Sequence, residues 1–511
     1  MKPLALKGYT KMSAEPSPPL RTLQALFCNF CHKPNFTTTG LQTAYLVGAL
    51  ILEHKMSLAK KSLVRAGAVS APACQLPVHS LDIPKAIPLE LPLDYGSTHS
   101  ALCAKDLASD LLGFQEFGQP TRQLVTTFNG TDGGEIRIPT FVNEFWTARQ
   151  RQASSLHEVS YRACFKPQLP RFFIERLTQP GEVVYDPFMG RGTTPMEAAL
   201  LGRIPRGNDV NPLSRVMTMP RLRPPTLAQV EARLKEISLA DPADMPDDLL
   251  AFYHPETLRA ISSLKKYLLR RQEDGTLNSV DEWIALVALN RLTGHSNGFF
   301  SVYTLPPNQA VSAKSQRKIN ERRNQVPPER DVVRIILKKT KQLLGDVDLR
   351  VRQTLTTVAS QALFLTKPAH DTSEISNGSV ALVVTSPPFL DVVQYATDNW
   401  LRCWFLGIDA AAVKLTVPRK LEDWQASMTN VFRELHRILK PDGHIAFEVG
   451  EVHGGKTKLE EAVLPCGSAV GLRPLLVLIN DQKFTKTANC WGVDNMAKGT
   501  NTNRIVVFRK I

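Results

Sequence analysis

The sequence predicts an α/β fold, a doubly wound sheet that is interrupted by a helical, basic insert. Two apolar runs, at 183–185 and 379–386, end in residues that stop a strand, a glycine-containing loop in one case and two prolines in the other. After the first run the pattern continues through a helix at about 194–201 to a second strand that ends at Asp209. Strand, helix and strand in this order form half of a doubly wound sheet, whose ligands bind at the carboxyl ends of the strands. The second run is apolar almost throughout, which is typical of a parallel strand buried on both faces, so both motifs should lie at one edge of the sheet.

The composition indicates a globular chain with a polyanionic partner. The 511 residues are 43% hydrophobic and 22% charged, which is ordinary for a protein of two or three domains. The formal net charge of +14 favours nucleic acid as the partner, with a solvated basic surface as the alternative. We expect a cytoplasmic, nucleoid-associated protein without signal peptide or transmembrane segment, because the longest apolar run, 41–52, is too short to cross a bilayer. No metal site is predicted, since the close pair Cys28 and Cys31 has no second pair to accompany it.

The loop after the first strand, DPFMGRGTT at 186–194, has the composition of a nucleoside-binding loop. Gly190 and Gly192 would let the backbone pass close to a bulky ligand, and Asp209 lies where an acid accepts hydrogen bonds from ribose hydroxyls. Pro195 stands where a dinucleotide fingerprint needs its third glycine, and no Gly-Lys-Ser/Thr follows. A nicotinamide enzyme and a P-loop protein therefore fit poorly, and a purely structural turn is the remaining alternative.

Between the two strand motifs the sequence predicts packed helices and a basic surface. A capping box and apolar periodicity predict helices at 226–238 and 279–292, and a basic helix with an apolar face is predicted at 330–344. A solvated face is the alternative interpretation of the charges on this last helix. The segment 312–325 is predicted to be a loop that contacts phosphates through its cations. These cations are Lys314, Arg317, Lys318, Arg322 and Arg323.

The second motif, TSPPF at 385–389, suits the activation of an aromatic amine. The lone pair of such an amine is delocalised into the ring, so the nitrogen is a poor nucleophile unless acceptors draw on its two hydrogens. The Ser386 hydroxyl and the Pro387 carbonyl are suitable acceptors, Pro388 stiffens the turn, and Phe389 offers a ring on which a base can stack. The amino group of a base is hidden inside a duplex, so the base would have to be flipped out.

Together, TSPPF and DPFMGRGTT resemble the catalytic motif and the cofactor loop of the S-adenosylmethionine-dependent DNA amino-methyltransferases. The resemblance covers about 139–209 and 380–511 and implies a Rossmann-like doubly wound methyltransferase sheet. It implies that Ser386, Pro387, Pro388 and Phe389 bind and activate the target amine. The residues that it implies for S-adenosylmethionine are Asp186, Pro187, Phe188, Gly190, Gly192, Thr193, Thr194 and Asp209, with Tyr161 and Phe165 from a segment, 160–174, that resembles the helix before this loop.

The resemblance also implies the reaction and the partners. The methyl group would pass directly to the exocyclic amino group of a flipped base in double-stranded DNA, without a metal or a cysteine nucleophile. Serine at the first motif position, Ser386, favours cytosine N4 over adenine N6. Alternatives are an amino-methyltransferase of RNA bases, a catalytically inactive DNA-binding protein, and a methyltransferase of small molecules or proteins. A cognate restriction endonuclease is a candidate partner, and the sequence does not indicate the oligomeric state.

The order of the motifs, with the cofactor loop first, resembles the arrangement in which the insert recognises the target sequence. It implies that a helical target-recognition insert at 224–370 separates the first part of the catalytic domain, at 105–223, from the second part, at 371–511. Residues 1–104 are rich in proline and lack sustained periodicity, which predicts an irregular N-terminal extension with Met12 and Met56 as alternative starts. In this last part a helix, a Pro-Asp-Gly turn and a strand are predicted at 432–452. A late hairpin should follow, with Lys486, Asn489 and Trp491 near the site.

Overall fold

The computed structural model describes the chain from residue 104 to residue 511 with short gaps. The gaps are 131–132, 148–152, 162–163, 242–243, 305–309, 389–394, 414–417, 419, 453–456 and 482–501. All described residues belong to one structural unit, Tyr95–Ile511. Several predicted features lie outside the described residues: the N-terminal extension up to residue 103, the run at 41–52, the pair Cys28 and Cys31, Phe389, and the loop residues Lys486, Asn489 and Trp491.

Eleven β-strands are found among the described residues. In chain order they are β1 (Arg122–Asn129), β2 (Glu135–Asn143), β3 (Val183–Asp186), β4 (Ile204–Asn208), β5 (Leu363–Leu365), β6 (Val380–Thr385), β7 (Leu439–Val449), β8 (Glu451–Val452), β9 (Thr457–Lys458), β10 (Leu472–Asp481) and β11 (Thr502–Lys510). Nine of these described strands form one sheet in the order β1-β2-β10-β11-β7-β6-β3-β4-β5, and β8 and β9 form a separate ribbon.

The centre of the sheet is parallel and doubly wound. Strands β5, β4, β3, β6 and β7 run parallel, whereas β11 is antiparallel to both β7 and β10. The chain proceeds from β3 outward to β4 and β5 and then returns to the other side of β3 with β6, so β3 and β6 flank the topological switch point. The predicted Rossmann-like α/β class is confirmed by this order, and so is the expectation that both motifs end at one edge of the sheet.

Helices cover both faces of the sheet and fill the long connection between β4 and β5. They are α1 (Ala104–Gly113), α2 (Gln168–Leu177), α3 (Thr193–Leu200), α4 (Leu213–Thr218), α5 (Leu227–Glu236), α6 (Pro255–Glu273), α7 (Ser279–Leu289), α8 (Ala313–Arg323), α9 (Val332–Leu343), α10 (Leu349–Ala359), α11 (Tyr395–Leu406), α12 (Leu421–Ile438) and α13 (Leu459–Ser468). Helices α12 and α13 share a core with Tyr185 and Val383, and α1 and α2 share one with Val184 and Leu382. Successive residues of β3 and β6 thus enter opposite cores, which is why both strands are apolar without alternation.

Most predicted elements occur with small shifts in their ends. The helix predicted at 226–238 is α5, and Thr226 and Gln229 form the predicted capping box at its start. The helix predicted at 279–292 ends earlier, at Leu289, and is capped by Asn278. The Pro-Asp-Gly turn predicted after α12 is part of β7, where Asp442 has a φ of +61° and the register with β6 shifts.

Two local predictions are wrong. Residues 164–167 do not continue α2 towards its N-terminus, because α2 begins only at Gln168, directly after Pro167. Residues 313–323 form helix α8 rather than a loop. This helix is polar on nearly every face, and its buried residue is Gln316. The sequence therefore shows no apolar periodicity from which the helix could be predicted.

The helices between β4 and β5 share an apolar core with α3 and α11. Trp283 of α7 lies fully buried in this core, and its indole nitrogen donates to the Thr340 hydroxyl of α9 at 3.1 Å. The short 3-10 helix Ser155–His157 connects this core to the sheet, since the Ser155 hydroxyl donates to the Leu343 carbonyl at 2.8 Å. Helix α9 is therefore held next to the chain that leads into α2 and β3.

The described residues contain neither a candidate membrane span nor a candidate metal cluster. No helix within 104–511, outside the gaps, is long and apolar enough to cross a membrane. Likewise, no group of three or more His, Cys, Asp or Glu side chains in the described part of the chain is arranged to hold a metal ion.

Candidate functional site

The buried carboxyl of Asp186 joins the two predicted motifs. Asp186 is the last residue of β3, and its Oδ1 accepts the hydroxyl of Thr385, at the end of β6, at 2.6 Å. The same oxygen accepts the Phe188 amide at 3.0 Å, which shapes the turn after β3. A second link runs from the Thr194 hydroxyl to the Val384 carbonyl at 3.0 Å. Burial raises the pKa of Asp186 to about 7, although the bonds from Thr385 and Phe188 oppose the rise.

The glycine loop is held by backbone bonds and needs both of its glycines. The Met189 amide donates to the Asn208 carbonyl at 3.0 Å, which ties the loop to β4. Gly190 and Gly192 have φ angles of +50° and +74°, in the left-handed region. A Cβ at Gly192 would lie 2.1 Å from the Thr218 Oγ1 of α4. Packing against α4 thus demands Gly192, in addition to any approach of a ligand.

Asp209, the predicted ribose acceptor, follows β4 and faces the same loop. Its Oδ2 accepts the Gly190 amide at 2.9 Å, and its Oδ1 accepts the Asn211 amide at 3.0 Å. Burial raises the pKa of this carboxyl as well. Because a carboxylate can accept about four hydrogen bonds, lone pairs remain for a ligand hydroxyl.

The remaining residues predicted for the cofactor are distributed unevenly around the loop. The Tyr161 ring contacts the Gly190 position, since a Cβ there would lie 3.6 Å from its Cε1. Phe165 instead packs, partly buried, against the core of α1 and α2. Phe188 packs partly buried in the core of α12 and α13, the Pro187 carbonyl accepts the Asn208 side chain at 3.4 Å, and the Thr193 hydroxyl accepts Arg191 Nε at 3.3 Å. The structure therefore brings Tyr161 to the loop and places Phe165 in the core.

The second motif leaves the sheet beside the glycine loop. Ser386 directly follows β6, and Pro387 is buried. The Pro388 carbonyl accepts the indole nitrogen of Trp424 at 3.2 Å, which anchors the exit of the chain on α12. Within the described residues, no hydrogen bond to the Pro387 carbonyl is found.

A buried glutamate, Glu448, completes the site and was not predicted. It lies on β7 and is 8% exposed, and the nearby Ser386 side chain favours its ionised form. Its Oε1 also accepts the amide nitrogen of Asn503, on β11, at 2.6 Å. Burial raises its pKa, and the bonds from Ser386 and Asn503 oppose the rise. The sequence signal was an acidic residue inside the apolar run HIAFEV, because a carboxylate is rarely buried in a strand without a function or a partner.

The predicted phosphate-contacting cations all lie exposed on α8. Arg317 pairs with Asp248 at 2.6 Å, and the Arg323 guanidinium carbon lies 3.8 Å from the Tyr303 ring centroid. Within the described part of the chain, Lys314, Lys318 and Arg322 have no ion pair. Hydrogen bonds fix the helix: Gln316 donates to the Tyr303 carbonyl at 3.1 Å and Asn320 to the Ala251 carbonyl at 2.8 Å. Hydrogen bonds thus hold helix α8 on the protein, and its cations face solvent.

Comparisons with known proteins agree with these motifs. Residues 135–212, from β2 to just past Asp209, match a family model of the N6/N4 type that is described as DNA methylase. The Type II methyltransferase M.BsoBI of Geobacillus stearothermophilus is 21% identical over 346 residues, which cover 60% of this chain and 63% of that protein. The chain thus spans less than two thirds of this relative's length.

Two solved structures show low overall similarity to the chain. TrmN from Thermus thermophilus is 12% identical with a TM-score of 0.27, over 68% of this chain and 50% of that one. A TehB-like SAM-dependent methyltransferase from Corynebacterium glutamicum is 10% identical with a TM-score of 0.24, over 67% and 87%. We draw no conclusion from scores this low. The family match and the curated relative support the predicted class, a DNA amino-methyltransferase, and neither distinguishes cytosine N4 from adenine N6.

The clash at Gly192 predicts an unequal effect of two glycine substitutions. Gly192→Ala should lower the free energy of unfolding by roughly 2–5 kcal/mol, since overpacking against Thr218 adds to the cost of a left-handed φ. Gly275→Ala is the matched control, because Gly275 has a φ of +66° and open space around its Cβ position. Urea unfolding of both variants measures the difference. Equal losses would contradict the packing role.

The raised pKa of Asp186 predicts a pH dependence of stability. The carboxyl ionises at its ordinary pKa of 3.8 in the unfolded chain and at about 7 in the folded chain. As the pH rises from the lower to the higher of these pKa values, the free energy of unfolding should therefore fall by roughly a few kcal/mol. Asp186→Asn should abolish this decline. Unfolding at pH 4, 5.5, 7 and 8 tests the prediction, with Asp423→Asn, on the exposed start of α12, as the control. A parallel pH dependence of Asp186→Asn and the native protein would refute it.

Proposed function

We propose that the chain is a methyltransferase that transfers a methyl group from S-adenosylmethionine to the exocyclic amino group of a flipped base in double-stranded DNA. The observation that carries this proposal is the junction of β3 and β6, where the Asp186–Thr385 bond holds the glycine loop against the TSPP motif. The match of residues 135–212 to a DNA methylase model supports it independently. A turn with no function would not require an acid buried between two strand ends.

The residues around the glycine loop fit S-adenosylmethionine. Asp209 has lone pairs left for ribose hydroxyls, and Tyr161 presents a ring beside Gly190. The residues proposed to hold the cofactor are Asp186, Pro187, Phe188, Gly190, Gly192, Thr193, Thr194, Asp209 and Tyr161, whereas Phe165 would act only through the core. When bound, the cofactor supplies an electrophilic methyl group on a sulfonium.

Ser386, Pro387 and Glu448 would activate the amine. The Ser386 hydroxyl would donate to the nearby Glu448 carboxylate, so the oxygen lone pairs of Ser386 would stay available to accept one amine hydrogen. The Pro387 carbonyl would accept the other hydrogen, and the nitrogen lone pair would then leave conjugation with the ring. Pro388 holds this carbonyl in place, and Phe389 would stack on the base.

Glu448 would also receive the proton that the reaction releases. An amine nitrogen that has gained a methyl group is positively charged until it loses one of its protons. Ser386 would take that proton from the nitrogen while it passes its own hydroxyl proton to Glu448. A carboxylate with a raised pKa suits this role better than one with an ordinary pKa, because it binds the proton more strongly at neutral pH.

We propose cytosine N4 as the target atom, because a serine, Ser386, directly precedes the two prolines of the motif. Adenine N6 is the alternative. The net charge of +14 and the exposed cations of α8 favour DNA as the partner, with 224–370 as the target-recognition segment. A cognate restriction endonuclease would be the cellular partner of such an enzyme.

The direct test is to incubate the protein with duplex DNA and methyl-labelled S-adenosylmethionine, digest the DNA, and identify the labelled nucleoside by mass spectrometry. We expect N4-methylcytosine. Labelled N6-methyladenine would keep the mechanism and overturn the choice of base. Label on RNA alone, or on neither nucleic acid, would overturn the proposed substrate.

Two substitutions separate the proposed chemistry from cofactor binding. Ser386→Ala and Glu448→Gln should each lower the single-turnover rate by about 10²-fold or more and leave S-adenosylmethionine affinity within about twofold. Because Glu448 must be ionised to accept the proton, the native rate should fall as pH drops through its raised pKa, and Glu448→Gln should lack this limb. Ser379→Ala is the control, because the half-buried Ser379 lies directly before β6, at the end of the strand opposite to Ser386. A Glu448→Gln enzyme with the native rate and pH profile would exclude the proton relay.

A further inference from the structure

A cavity of about 440 Å³ lies beside the glycine loop and shares Tyr161 with the proposed cofactor site. Three regions of the chain line it: the segment before α2, the glycine loop, and the helices between β4 and β5. The lining residues are Glu158, Val159, Ser160, Tyr161, Cys164, Lys166, Arg191, Arg291 and Lys339. Arg291 follows α7 and Lys339 lies on α9, so the insert helices form one wall.

The cavity carries a large excess of positive charge. Its lining contains four cationic side chains and one carboxylate, Glu158, so three positive charges are not balanced by a negative charge of the lining. The cations are Lys166, Arg191, Arg291 and Lys339. Lys339 and Arg291 are only 6% and 9% exposed, so solvent does little to stabilise their charges. Arg191 is fixed in place, because its Nη1 donates to the Val159 carbonyl at 2.9 Å.

The two buried cations lack sufficient partners within the protein. The Arg291 guanidinium carbon lies 4.1 Å from the Phe299 ring centroid, and its buried Nε has no hydrogen-bond partner within the described residues. Lys339 Nζ lies 3.4 Å from a Glu158 carboxylate oxygen that also accepts the Gln342 amide, and it donates to Gln342 Oε1 at 3.1 Å. Burial lowers the pKa of Arg291 to about 10, and burial together with nearby Arg291 lowers that of Lys339 to about 8. Buried cations held this way indicate a site for an anion that is not part of the chain.

We propose that this cavity binds a backbone phosphate of the DNA strand that carries the target base. The proposal rests on the proposed function and adds a contact that the exposed cations of α8 do not provide. A guanidinium matches a phosphate with two parallel hydrogen bonds, and a lysine adds a point charge. Since the cavity wall includes Arg191 of the glycine loop, such a contact would place the phosphate next to the reaction site.

The charge of the cavity argues against the carboxylate of the cofactor as its anion. S-adenosylmethionine carries a carboxylate, an ammonium and a sulfonium, so the whole molecule is a cation. A cavity with three unbalanced positive charges repels a cation and attracts a phosphodiester.

The test is the salt dependence of duplex DNA binding by the full chain, measured on protein free of S-adenosylmethionine. Lys339→Met should reduce the slope of log K against log salt concentration by about 0.9 and weaken binding on the order of tenfold at 0.1 M salt. Lys338→Met is the matched control, because Lys338 is the exposed neighbour on the same helix. Lys339→Arg should restore the native slope. Equal slopes for Lys339→Met and the native protein, or equal reductions in both Met variants, would overturn the proposal.

A second variant should act in the opposite direction. Glu158→Gln removes the carboxylate of the cavity and should tighten DNA binding several-fold, which a damaged fold would not do. Weaker binding by Glu158→Gln would count against the phosphate site.

Two further measurements separate this proposal from its neighbours. Calorimetric S-adenosylmethionine affinity of Lys339→Met should stay within about twofold of the native value, and a tenfold loss with an unchanged DNA slope would assign the cavity to the cofactor carboxylate instead. Methylation of DNA by the native protein tests the proposed function separately. A native enzyme that methylates DNA, together with a Lys339→Met variant of native slope, would overturn the phosphate site alone.

Discussion

The hydrogen bond between Asp186 and Thr385 is the contact on which the site depends. It joins the ends of β3 and β6, the two strands that flank the topological switch point of the sheet. The Thr194–Val384 bond repeats the link from the first turn of α3. Because both bonds are buried, water competes with them little, and the glycine loop and the TSPP motif are held at a constant separation.

Three buried carboxyl groups lie at this edge of the sheet. Asp186 is the last residue of β3, Asp209 directly follows β4, and Glu448 lies near the end of β7. Burial raises the pKa of all three carboxyls. Each accepts bonds from neighbouring amides or hydroxyls instead of pairing with a cation. Asp186 and Asp209 thereby shape the loop after β3, whereas Glu448 is bonded to Asn503 of β11 close to Ser386. One physical device, the partly satisfied buried acid, thus provides both architecture and a candidate proton acceptor.

The approach to the glycine loop is stabilised from the side of the insert. The fully buried Arg221 donates to the Leu156 carbonyl at 3.0 Å and to the Arg191 carbonyl, which joins the 3-10 helix Ser155–His157 to the loop. His157 contacts Glu197 of α3 at 2.6 Å, and burial lowers the pKa of this histidine. A change in the packing of α9 would therefore reach the loop through this short segment, which also carries Glu158 of the basic cavity.

Local sequence determined the parts of this protein whose information is local. The strand and helix pattern around 183–209, the capping box at Thr226, and the buried strand before Ser386 were all predictable, because periodicity and stop residues act over a few positions. That both motifs meet followed from the rule that parallel strands end at one edge. Only the tertiary structure placed Glu448 beside Ser386 and Thr218 against Gly192, since these contacts join distant segments. Helix α8 escaped prediction because hydrogen bonds to Tyr303 and Ala251, rather than an apolar face, hold it in place.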